Sequence, residues 1–149
     1  MRVEFRSDAA QVSPMVRFCN SVRPMEYGGP AMKSMTAGEV PVKIKDDNVE
    51  VRLTEVGDMT VSFIRLAKGT DLGPALVGLP GDLCQCPHWG YMLEGRLRMR
   101  TVDGDTTYVA GQAFYWAPGH APSALEDCSY VDFSPTKEFD PVIRHILGV

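Results

Sequence analysis

The chain has 149 residues, 44% of them apolar and 23% charged, which is ordinary usage for one globular domain and excludes a disordered polymer. A formal charge of −4 argues against a nucleic-acid partner, since phosphate binding needs a basic face. The opening residues lack the apolar core of a signal peptide and no run is long enough to span a membrane, so the expectation is a cytoplasmic protein without a membrane partner. Residues 1–40 read as an irregular extension rich in Met, Pro and Gly, packing on the rest of the chain or on a partner subunit. Within it, Asp8 and Gln11 could cap a short helix carrying Val12, Met15, Val16 and Cys19. Residues 41–149 read as one β-rich domain. Val49 to Val56 and Met59 to Leu66 alternate, with Gly57-Asp58 as the turn between them. From Trp89 to Val102, Tyr91, Leu93, Leu97 and Met99 oppose Glu94, Arg96, Arg98 and Arg100, and Asp103-Gly104 supplies a hairpin turn. The arginine stripe is read as a solvated outer face. Thr106 to Val109, Ala113 to Trp116 and Ser129 to Phe133 complete a series of short strands, the pattern of a sandwich or barrel. Asp140 as cap, Pro141 at the first position and Gly148 at the end predict a short terminal helix with Val142, Ile143, Ile146 and Leu147 on its apolar side. That side packs on the barrel or serves a dimer contact.

Two stretches carry the chemistry. The first is Gly81-Asp-Leu-Cys-Gln-Cys-Pro-His-Trp-Gly-Tyr-Met-Leu-Glu-Gly95, and the second is Gly111-Gln-Ala-Phe-Tyr-Trp-Ala-Pro-Gly-His-Ala-Pro122. In this order, separated by one Asp-Gly hairpin, they resemble the paired motifs of the cupin superfamily. The resemblance implies an all-β, double-stranded β-helix (jelly-roll) barrel holding a small molecule or metal in its mouth, and a homodimer. The donor residues depart from the family's three-His-one-Glu pattern. His88 stands where the ligand Glu usually does, the upstream His pair falls near Asp82 and Cys84, and Pro122 takes the usual His position with His120 two residues before it.

Read from the residues themselves, an extended Cys84 to His88 would place Cys84, Cys86 and His88 on one face, because strand side chains alternate. With His120 from the Pro118-Gly119 turn, these two thiols and two imidazoles would suit a divalent metal, zinc best of all. The competing reading is buried, unligated thiols beside a hydrogen-bonded His. His88 and His120 are also the candidate catalytic groups, near-neutral imidazoles able to move a proton. Trp89, Tyr91, Glu94, Phe114 and Trp116 are the candidate wall of a substrate pocket. The expected function is therefore small-molecule binding in a barrel, with enzymatic action on a small organic substrate. The alternative is a metal-free ligand-binding or sensor barrel, and a Cys84–Cys86 redox pair is a third reading.

Overall fold

The computed structural model describes residues 28–149. The short helix expected around Asp8 and Cys19 lies outside the described residues. Val42–Lys45 (β1), Val49–Val56 (β2) and Met59–Leu66 (β3) form an antiparallel meander. The β2–β3 register runs unbroken from Val49↔Leu66 to Val56↔Met59, around a turn in which Gly57 has φ +61°. Then come His88–Glu94 (β4), Arg96–Thr101 (β5), Gly104–Val109 (β6), Ala113–Trp116 (β7), His120–Ala124 (β8) and Cys128–Pro135 (β9), and the chain closes with the helix Thr136–Leu147 (α1). Six strands make one sheet in the order β1-β2-β3-β9-β4-β7, and three make the other, β6-β5-β8. Every pairing is antiparallel. The two sheets bury Ile64, Leu66, Met92, Leu97, Met99, Phe114, Trp116 and Tyr130 between them, which gives the all-β jelly-roll expected.

Two sequence expectations are corrected. The segment from Trp89 to Val102 is not one continuous alternation. Met92 is fully buried while Tyr91 and Leu93 are 44% and 47% exposed, yet beyond Gly95 the odd positions Leu97 and Met99 turn inward. Gly95 causes the switch. It sits at φ +70°, just past a register irregularity between β4 and β9, so the inward face passes from even to odd numbers. The helix also begins earlier than Asp140. Thr136 opens it, with its hydroxyl 2.9 Å from that of Thr60, and Pro141 falls in the second turn, where the Lys137 carbonyl forgoes a helical partner. Gly148, at φ +70°, ends it as expected. Phe139, Val142 and Ile143 are buried against Leu76, Leu83, Cys84, Cys86 and Ala121, so the apolar side of α1 closes one side of the barrel. His145 donates from Nε2 to the Val77 carbonyl at 2.9 Å and ties the helix to the loop before β4.

Candidate metal centre

The long connection from β3 to β4 runs back along the free edge of β8. Leu72 donates to the Pro122 carbonyl and Cys84 to the His120 carbonyl, at 3.0 and 2.8 Å. Gly119, at φ +93°, returns a bond to the Cys84 carbonyl at 2.7 Å. Cys84 and His120 are thus cross-strand neighbours held by main-chain bonds. His120, expected in the turn that Pro118-Gly119 makes, is the first residue of β8 and only 2% exposed. Its Nδ1 donates to the Ala117 carbonyl at 2.6 Å, which leaves Nε2 as the ring's free lone pair.

His88 comes from the first position of β4, opposite Trp116 of β7. Its Nδ1 lies 2.7 Å from the Ser134 hydroxyl and 3.6 Å from the Asp132 carboxylate. Ser134 donates to Asp132 at 3.4 Å and therefore accepts from His88, so Nδ1 carries the proton and Nε2 faces Cys84 Sγ at 3.5 Å. The rings of His88 and His120 cross edge to face with centroids 5.1 Å apart. One donor atom from each of Cys84, His88 and His120 falls within 4.8 Å of the other two, and all three residues are buried.

Burial alone would push the Cys84 thiol up, but hydrogen bonding with His120 and His88 outweighs it and brings it down to about 6. Burial likewise disfavours a charged His88, yet the Asp132 carboxylate and the Cys84 sulfur raise it to about 9. Without an ion these directions favour a thiolate beside a protonated ring, and a bound metal would take the place of the proton on His88 Nε2. Sulfur and two imidazole nitrogens form a donor set suited to zinc, and each imidazole is oriented through its other nitrogen by a fixed acceptor, the arrangement typical of metal-bound histidine.

Cys86 is not one of the three. The chain bends at Cys86, and Pro87 interrupts the strand, so the period of two that would align Cys86 with Cys84 fails there. Its Sγ lies 3.4 Å from the Pro87 carbonyl, and burial pushes its thiol up to about 12.

The cluster faces a cavity of about 200 Å³ with mainly aliphatic and aromatic walls. Of the five expected wall residues only Trp116 lines it. Phe114 lies in the core, stacked on Trp116 with centroids 3.7 Å apart. Trp89 and Tyr91 are 46% and 44% exposed on the opposite face of β4, and Glu94 is exposed, accepting from Ser129. The walls of this cavity include Val51 and Ile64 from β2 and β3, Tyr130 from β9, and Phe139 and Ile143 from α1. Sequence reasoning missed Asp132 and Ser134. The available signal was their spacing of two, in step with the apolar Tyr130 and Cys128 of the same strand, which sets both polar groups on the inward face.

Asp132→Asn tests that orientation. It keeps the shape and removes the charge behind His88; if the cluster holds zinc, its affinity should fall about 10- to 100-fold with the fold intact, as measured by competition with a chromogenic chelator.

No known family profile matches the chain, and no curated protein does. Solved structures resemble it in fold. KdgF from a Halomonas species is 20% identical, covers 70% of this chain and 94% of its own, and superposes with a TM-score of 0.52. An RmlC-like cupin from Shewanella frigidimarina is 12% identical over 72% of this chain and 94% of its own, with a TM-score of 0.52. Ectoine synthase from P. lautus is 13% identical over 70% of this chain and 78% of its own, also at 0.52.

Proposed function

We propose, from the premise that this chain has the cupin fold, that it binds a small organic molecule in the barrel cavity and acts on it with the help of a divalent metal, zinc by preference. The observation that carries this reading is the convergence of Cys84 Sγ with two imidazoles whose Nδ1 atoms are already committed to other acceptors. Cys84, His88 and His120 would hold the ion, and three protein ligands leave one of zinc's four positions for something else, as catalytic sites do. The bound ion would supply Lewis acidity to an oxygen-bearing ligand. The chain's own groups do the rest. Asp132 and Ser134 fix the His88 tautomer, the Ala117 carbonyl fixes that of His120, and the apolar walls exclude water.

Metal analysis of protein purified without a histidine tag is the test. About one zinc per chain is expected, and protein that stays metal-free even after incubation with zinc would remove this reading. The second reading, a metal-free ligand-binding or sensor barrel, is supported by the Cys84–His88–Ser134 chain of contacts, which satisfies these groups without an ion. Turnover of a bound compound would separate an enzyme from a binding module.

The same reading includes a homodimer. Trp89, Tyr91 and Leu93 of β4, Tyr115 of β7 and Phe133 of β9 are all more than 40% exposed, and Trp89 lies opposite both Tyr115 and Phe133. An aromatic band of this kind is what a self-complementary two-fold interface buries. Tyr115→Asp should shift the dissociation constant of such a dimer upward by tenfold or more in analytical ultracentrifugation, since it sets a charge against the same band on the second copy.

A further inference from the structure

We infer, resting on the reading of the cavity as a small-molecule site, that the Tyr130 hydroxyl is its hydrogen-bond donor, and that the guest is a molecule of one or two small rings presenting an oxygen or nitrogen lone pair to it. Tyr130 stands on the inward face of β9, opposite Ile64 of β3 and Met92 of β4, and lines the cavity while only 3% exposed. Its ring meets those of Trp116 and Phe114 edge to face, with centroids 5.2 and 6.1 Å away, and those two are stacked on each other. The phenol is therefore held in place before any guest arrives, and little ordering remains to be done on binding.

The hydroxyl has nothing to bond to within the chain. The cavity's own acceptors are engaged elsewhere, Cys84 with His88, Asp132 with Ser134 and His88, and Asp46 with the Asn48 and Val49 amides. No group among the described residues hydrogen-bonds to the Tyr130 oxygen. Two other buried polar atoms share that lack, Ser62 Oγ and Trp116 Nε1, but both are walled off from any guest. The Tyr130 oxygen is not walled off, and the space that Tyr130 lines is the cavity. A tyrosine keeps its proton near neutral pH, and an O–H taken from water without an acceptor carries the full cost of its lost hydration. A lone pair brought in from outside removes that cost. Apolar cavities of about 150 Å³ take benzene, so about 200 Å³ admits a substituted ring or a compact pair.

Isothermal titration of the protein as purified with two isosteric pairs tests this. Acetophenone carries a carbonyl oxygen where α-methylstyrene has a methylene, and indole carries an N–H where indene has a methylene, so the first pair varies an acceptor and the second a donor. In the parent, acetophenone is expected to bind at least as tightly as α-methylstyrene, the hydrogen bond offsetting the cost of drying the carbonyl. Tyr130→Phe, which keeps the ring and its packing, should weaken acetophenone tenfold or more and leave α-methylstyrene, indole and indene unchanged. Acetophenone binding more weakly than α-methylstyrene in the parent would overturn the inference even if the variant folds poorly. So would an equal loss for both members of the first pair in the variant, or a loss confined to indole, which would make the hydroxyl an acceptor. None of the four binding would overturn it together with the small-molecule reading, whereas binding that ignores the hydroxyl would overturn it alone. Zinc is measured in every sample, so that parent and variant are compared at equal metal content.

Discussion

Gly95→Ala is expected to cost about 4 kcal/mol or more and to leave little soluble folded protein, a loss comparable to the whole stability of many domains. Two effects add. At φ +70° an L side chain is strained by about 1–2 kcal/mol. A methyl group there would also run into the Asp127 carbonyl oxygen and the Cys128 Cα, which are backbone atoms entering β9 and have no rotamer into which to retreat. Gly81→Ala is the matched control. Its φ is +66°, nearly the same, but the space around it is open, so only the strain should be felt. Urea unfolding of the two variants beside the parent separates collision from strain. Equal losses would mean that the β4–β5 corner relaxes and that Gly95 matters for its dihedral alone.

Under the proposed metal reading, His120→Ala is expected to abolish stoichiometric zinc and with it the stabilisation that bound zinc would confer on the parent, about 2.7 kcal/mol when free zinc is a hundred times its dissociation constant. His120 is the cleaner of the two imidazoles to remove, because its Nδ1 engages only the Ala117 carbonyl. Taking away His88 would also strand Asp132, 1% exposed, without the ring it faces, and an unpaired buried charge is destabilising by itself. The expected pattern is therefore distinct for each. Both variants lose zinc, His120→Ala melts close to the chelator-treated parent, and His88→Ala melts below it. Elemental analysis together with thermal melts, with and without chelator, reads both quantities. A His120→Ala protein that retains one tightly held zinc would show that this imidazole is not a ligand.

The strands that could be read from the sequence were those with clean alternation between glycine-marked turns. β2, β3 and β7 have the boundaries that Val49–Val56, Met59–Leu66 and Ala113–Trp116 suggest. β8 could not be read, because all five of its residues are buried and Pro122 sits in the middle, leaving neither a period of two nor the composition of a strand. The start of α1 was misplaced because Asp140-Pro141 mimics a cap followed by a first-turn proline, while packing of Phe139 onto the barrel draws the helix back to Thr136. For the site, the resemblance to paired barrel motifs brought His88 and His120 together correctly, and Cys84 joined them. Cys86 was included only by extending an alternation through Pro87. Trp89 and Tyr91 were placed inside because, before a switch at one glycine, nothing local says which parity faces inward.

The main-chain clasp between Cys84 and His120 has an evolutionary consequence. Two of the three donors are spaced by peptide groups, which any sequence possesses, and not by the bulk of their neighbours. Drift along β2 and α1 can remodel the chamber while that spacing stays put. Under the proposed function, selectivity for a guest and affinity for an ion would thereby be free to diverge under selection, each through its own set of positions.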